Sequence, residues 1–282
     1  MATPEAPLRK HLILGALLSG AALLFAAAAT AQAPAVPTLY AVVEYLAVPP
    51  GGGAEYEATE REIWKAIHEE RLQRGIITGW ALYDVWMPAL NSPYDYVTVS
   101  FVDDFGKLAD VYSDDLFAAA HPGGDHDAMR ARTEAAREMV HSEVWQLQST
   151  ATAGMPGDWV LVSYMQVPAG GDGEYMAVEN EIWKPAIEAR IQEGGLRNWS
   201  VYSLVMPYGA DMRYNYATTD TFESLADVAA PWFETFFPQA HAGLTPQQFD
   251  AMMARTDASR TILKGELWHL LDAVNPETTG SQ

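Results

Sequence analysis

The chain has no cysteine among its 282 residues. That absence removes thiol catalysis, thiolate metal sites and disulfides together. Basic residues are scarce as well: 17 Lys and Arg face 37 Asp and Glu, for a formal net charge of −20. A surface of that sign repels phosphate backbones and anionic lipid, so nucleic acid and membrane surfaces are poor partners. Long apolar runs are also missing, apart from one near the start. No other segment approaches the length needed to cross a bilayer.

That one run reads as an export signal. Arg9, Lys10 and His11 make a basic start, and Leu12 to Ala29 is almost unbroken apolar or small sequence. Ala31-Gln32-Ala33 follows, with small residues where a signal peptidase needs them, and Pro34 opens the next segment. The rival reading is a membrane anchor, though no Cys follows that could carry a lipid. The expectation is cleavage after Ala33, with residues 34–282 in the periplasm or the medium. Loss of Glu5, Arg9 and Lys10 takes the net charge from −20 to −21. The remaining length suffices for two ordinary domains.

The mature part is one unit written twice. VEYLAVPPGGGAEY (43–56) answers VSYMQVPAGGDGEY (162–175) without a gap, at an offset of 119. EREIWKAIHEER (60–71) answers ENEIWKPAIEAR (179–190), and GWALYDVWMP (79–88) answers NWSVYSLVMP (198–207). HSEVWQL (141–147) and KGELWHL (264–270) close the two copies. So long a period means a duplicated domain rather than a solenoid. The expected division is 34–149, a linker at 150–158 holding Gly154, Pro156 and Gly157, then 159–274 and a tail at 275–282.

Each copy reads β-α-β-β-α-β. In the first, strands are expected over Ala41–Val48, Trp80–Met87, Tyr94–Phe101 and Glu143–Gln148. A helix is expected over Glu55–Arg74 with Gly75 as its cap, and further helices over Leu108–Ala120 and Ala128–Val140. That order is the ferredoxin-like pattern, an α+β fold whose sheet has one face left to cover. With its tandem copy, the chain resembles the dimeric α/β-barrel superfamily (ferredoxin-like, NIPSNAP/monooxygenase-like). The duplicated EY-x3-E-x-E-I-W-K motif is also similar to exported bacterial proteins of unknown function. The resemblance implies two units closing an intrachain α/β-barrel pseudo-dimer, with ligand cavities between helix and sheet. It implies a monomer, or a weak homo-oligomer.

The first helix of each copy carries the main anomaly. At about 100° per residue, Glu60 and Arg71 fall on the face shared by Tyr56, Ile63, Trp64 and Ile67. Glu179, Trp183 and Arg190 repeat this in copy two. A carboxylate facing a sheet must be paired, hydrogen-bonded or neutral. Glu60 and Arg71 are about 16 Å apart along the axis, too far to pair with each other. Two readings stand: a polar network tying helix to sheet, or a pocket lined by Glu60, Trp64, Arg71, Tyr83 and Tyr96, with Glu179, Trp183, Arg190, Tyr202 and Tyr216 as twins. Such a pocket would suit a small amphipathic or aromatic ligand. The simplest account of Glu143 and Glu266 is a bridge to Arg132, Arg137, Arg255 or Arg260.

Histidine adds little. His121 and His241 hold matching places and are secondary candidates. The HPGGDHD stretch at 121–127 has no known metal spacing and its acids are missing from copy two, so no metal is expected. The glycines at 51–53 lack the Lys-Ser/Thr of a phosphate loop. No cofactor is evident, and no nucleophile–base pair is readable. The sequence thus favours an exported binding protein. A small-molecule oxygenase or isomerase, or a module for a protein partner, is the alternative.

Overall fold

In the computed structural model, residues 36–89, 91–109, 112–152 and 157–276 are described. The expected signal peptide at 1–33 lies outside them, as do residues 153–156 of the linker and 277–282 of the tail. Eight strands form the scaffold: β1 (Tyr40–Ala47), β2 (Gly79–Trp86), β3 (Tyr96–Val102), β4 (Glu138–Thr150), β5 (Trp159–Gln166), β6 (Asn198–Met206), β7 (Tyr216–Phe222) and β8 (Thr261–Val274). They close into one antiparallel barrel in the order β1-β3-β2-β8-β5-β7-β6-β4. Closure leaves no unpaired sheet edge along the seams, and eight strands enclose a space for side chains or one small ligand.

Two seams join the halves. β2 pairs with β8 from Trp80↔Val274 to Trp86↔Leu267, and β4 pairs with β6 from Val144↔Met206 to Thr150↔Ser200. Alternation along each strand sorts the side chains. Ala41, Val43 and Tyr45 of β1 point inward with Val97, Val99, Val160, Val162 and Tyr164. The opposite face carries Leu46, Trp80 and Leu82 in one half and Met165, Trp199 and Val201 in the other, packed under the helices. The interior is therefore built by both copies, while each outer face is covered locally.

The helical cover is α1 (Gly53–Thr59) and α2 (Lys65–Gln73), α3 (Asp114–Ala120) and α4 (His126–Ala136) in the first half. The second half has α5 (Asp172–Val178), α6 (Lys184–Gln192), α7 (Leu225–Ala229), α8 (Phe233–Ala240) and α9 (Pro246–Ser259). The long first helix of each copy is interrupted by a π-helical turn, at Glu60–Trp64 and Glu179–Trp183. Such turns are uncommon and often mark places under special demand. Gly75 and Gly194 end these helices in the left-handed region, at φ +67° and +82°, where side chains are strained. Among the described residues no helix is long and apolar enough to cross a membrane.

Two expected elements are redrawn. Leu108–Ala120 is a 3-10 turn at Phe105–Ala109 followed by α3, with residues 110 and 111 outside the described set. The helix expected to reach Val140 stops at Ala136. Arg137 is extended (φ −151°, ψ 159°), and Glu138, Met139 and His141 pair with Ala47, Leu46 and Tyr45 of β1. The ladder satisfies backbone groups that a longer helix would have kept for itself.

Candidate functional site

The barrel encloses a cavity of about 340 Å³. That is the size at which protein pockets begin to hold small molecules. Small side chains make the room: Ala41 on β1 and Ala217 on β7 face it across from larger residues. Its wall is largely apolar, with Val43, Val99, Phe101, Val160 and Val162. Polar groups gather where β2 and β6 begin and where β4 and β7 end: Thr78, Thr150, Asn198, Ser200 and Thr221. Among the described residues no Asp, Glu, Lys, Arg or His borders the cavity. Besides Tyr45 and Tyr164, the phenols that border it are Tyr83 and Tyr202, which occupy equivalent places in the two copies.

The other end is closed by a plug of hydrogen-bonded aromatics. Tyr45 and Tyr164, equivalent residues of the two copies, meet hydroxyl to hydroxyl at 3.0 Å. Glu143 is 1% exposed and accepts from Tyr45 (2.8 Å), Trp145 Nε1 (3.0 Å) and Tyr214 (2.6 Å). Its twin Glu266 accepts from Tyr94 (2.8 Å) and Trp268 Nε1 (3.2 Å) and lies 2.9 Å from Lys264 Nζ. The copies thus exchange tyrosines: Tyr94 of the first bonds Glu266, and Tyr214 of the second bonds Glu143. Several donors on each carboxylate are what make a buried charge tolerable. Where copy two has Lys264, copy one has His141, stacked on Tyr45 with ring centroids 4.1 Å apart. Burial lowers the His141 pKa.

These placements correct one assignment from the sequence. Glu143 and Glu266 do not bridge to the arginines of the last helix; they face inward and close the lumen. Those arginines serve the first helix instead. Arg137 reaches Glu60 at 3.4 Å, and Arg260 reaches Glu179 at 3.4 Å. Arg132 binds Glu55 and Glu62 on the surface, and Arg255 binds Glu174 and Glu181 likewise.

The ten pocket residues chosen from sequence are not brought together. Tyr83 and Tyr202 border the lumen; the other eight lie on the outer side of the sheet. Tyr96 bonds Glu57 and Tyr216 bonds Asp172. Trp64 donates to Thr133, and Trp183 packs on Phe237. Arg71 donates to Tyr112 at 3.0 Å and contacts His68 Nδ1 at 3.3 Å, while Arg190 donates to the Asp227 carbonyl. A strand sends successive side chains to opposite faces, so tyrosines that look alike in sequence part company by parity.

Glu60 and Glu179 are each 1% exposed, as the helical spacing required. Burial raises both carboxyl pKa values to about 7, against the opposing pull of Arg137 and Arg260. Their ionic contacts at 3.4 Å are long, and one oxygen of each finds no hydrogen bond among the described residues. The folded state therefore binds these protons more tightly than the unfolded chain. Stability from this source is present below about pH 4.5 and is lost as pH rises through about 7. Glu60→Gln removes one such group, so the fall in unfolding free energy between pH 5 and pH 8 is expected to shrink by about 2.5 kcal/mol. Urea unfolding at the two pH values measures it; an unchanged difference would contradict the assignment.

The secondary candidates have structural roles. His121 Nε2 contacts the Ile63 carbonyl at 2.9 Å and His241 Nε2 the Ile182 carbonyl at 2.8 Å, each tying a loop to a π turn. Among the described residues no group of three or more His, Asp or Glu is placed to hold a metal ion.

No protein-family model matches the chain, and no curated protein matches it in sequence. Solved structures match it in fold. A candidate monooxygenase from Fusobacterium nucleatum aligns with a TM-score of 0.49 at 11% identity, over 86% of this chain and 95% of that one. A haem-binding protein from Thermus thermophilus aligns with a TM-score of 0.45 at 8% identity, over 84% and 92%. A variant chlorite dismutase from Candidatus Nitrospira defluvii gives 0.45 at 8%, over 83% and 91%. The likeness is one of coarse fold alone.

These matches correct the reading that no cofactor is evident, since one of them binds haem. Haem iron takes His, Cys, Met or Tyr as its axial ligand. This chain has no Cys, and no described histidine borders the lumen. His68 is buried, stacked on Trp80 at 4.5 Å and held against Arg71; His121 and His241 are bound to carbonyls; His269 is bound to Asp84. Burial raises the pKa of both lumen phenols, Tyr202 to about 12, which disfavours a phenolate ligand. The residues around the lumen do not fit axial ligation of haem, and no chemistry is routed through it.

Proposed function

We propose that this chain is an exported protein of two fused ferredoxin-like units that binds one small apolar or amphipathic molecule inside its barrel. The cavity carries this reading: about 340 Å³, apolar at its centre, polar at one rim and closed by the plug at the other end. The binding place moves from the helix–sheet gap to the lumen because only Tyr83 and Tyr202 of the sequence candidates border a cavity of that kind. Binding is favoured over catalysis by the lining itself. Among the described residues it holds no carboxylate, imidazole or amine to act as a general base. The oxygenase or isomerase alternative makes a distinct forecast, namely consumption of dioxygen or chemical change in the bound molecule.

The test is mass spectrometry of small molecules released on denaturing the purified protein. The expected result is an apolar compound at close to one per chain, chemically unchanged after incubation in air. Recovery of nothing, together with no uptake of apolar dyes, would count against the reading. Export rests on the order Arg9-Lys10-His11, Leu12–Ala29, Ala31-Gln32-Ala33. N-terminal sequencing of the periplasmic and culture fractions is expected to begin at Pro34. Membrane retention with Met1 intact would mean an anchor.

A further inference from the structure

Tyr83 stands apart from the other inward-facing phenols. It is 3% exposed, borders the cavity, and its hydroxyl has no hydrogen-bond partner among the described residues. Tyr45, Tyr94, Tyr164 and Tyr214 are all bonded within the plug. The hydroxyl therefore faces the cavity instead of a protein partner, and whatever fills the lumen, water or an accepting ligand atom, completes it. Tyr202 holds the equivalent place from the other copy, with Ser200 hydrogen-bonded to its hydroxyl, and the two phenols influence each other electrostatically. Burial pushes both pKa values up, so both stay protonated and act as donors at any physiological pH. Among the described residues the surrounding wall offers no counter-charge, and an ion placed there would lose its hydration without compensation.

Resting on the lumen-binding reading, we infer that the occupant is an uncharged apolar molecule with a hydrogen-bond-accepting oxygen (a ketone, quinone or ester) that Tyr83 and Tyr202 receive at mid-barrel. The apolar body lies along Val43, Val99, Val160 and Val162. The threonines, Ser200 and Asn198 at the rim accommodate any further polar end.

Three compounds with one tricyclic skeleton test this: 9-fluorenone, fluorene and fluorene-9-carboxylate. Binding is followed by quenching of tryptophan fluorescence, and affinities are corrected for water–octanol partition. Fluorenone is expected to bind about 5- to 10-fold more tightly than fluorene, the range of one neutral hydrogen bond. The carboxylate is expected to bind at least about 50-fold more weakly than fluorenone. In the double variant Tyr83→Phe/Tyr202→Phe the ketone advantage should fall to about onefold, with fluorene affinity little changed. Equal corrected affinities for ketone and hydrocarbon in the unaltered protein would overturn this inference and leave lumen binding standing. Tightest binding of the carboxylate would overturn it too. Binding of none of the three would overturn the lumen reading beneath it. The unaltered protein alone decides each case, should the double variant fail to fold.

Discussion

Ala217→Trp is expected to weaken binding of 9-fluorenone by about 100-fold or more, because the indole fills space that the ligand needs. Ala217 is buried on β7 and faces the lumen. An added ring there enters a cavity that already exists instead of a packed core. The loss of stability should therefore stay at or below about 2 kcal/mol, at the mild end of overpacking. The control is Glu60→Gln, which alters the outer face and should leave the affinity unchanged. Fluorescence titration with a thermal melt on each variant separates blocking from unfolding. Full affinity in a folded Ala217→Trp protein would place the ligand elsewhere.

Glu143→Ala should be the most damaging single change to stability, at about 3–5 kcal/mol. Trp145 and Tyr214 would lose their acceptor inside the plug, and Tyr45 would be left with Tyr164 alone. Each stranded donor carries a desolvation cost, and the bonds of Tyr45 and Trp145 to Glu143 are fully buried. For a domain of this size the loss corresponds to roughly 6–20 °C in the unfolding midpoint. Because Tyr214 comes from the other copy, the same change should loosen the contact between halves. A double-mutant cycle of Glu143→Ala with Tyr214→Phe should show strong non-additivity, since the second change removes one of the stranded donors. A loss under about 1 kcal/mol would mean that the plug is not closed as described.

How far the sequence could be read depended on how local the cause was. The duplicated blocks exposed the repeat directly, because 43–56 and 162–175 align without a gap. Helical periodicity put Glu60 and Arg71 inside, and both are buried. Their partners were not legible. The helix expected to reach Val140 runs three residues into β4, which sets the arginines of that helix beside Glu143 as a group. Once the strand begins at Glu138, Arg137 lies at the helix end, near Glu60, and Glu143 and Trp145 turn inward together. The tyrosines failed for a related reason. Tyr83 pairs across the ladder with Val97, and Asp84 with Tyr96, so Tyr83 and Tyr96 occupy opposite faces. Parity can be counted in sequence, but the register between strands comes from pairing. That the inner face belongs to one lumen shared by both copies comes from barrel closure, which no local pattern encodes. The unpartnered hydroxyl of Tyr83 is visible only when every neighbouring phenol has been placed.

The most direct test of lumen binding is a crystal structure of the protein with 2-bromo-9-fluorenone, in which anomalous scattering locates the bromine without reference to the protein. The expected result is one bromine site inside the barrel, between the plug and the threonine-rich rim, with the ketone oxygen about 3 Å from the Tyr83 hydroxyl. A bromine site between helix and sheet beside Glu60 or Glu179, or on the outer surface alone, would contradict the account.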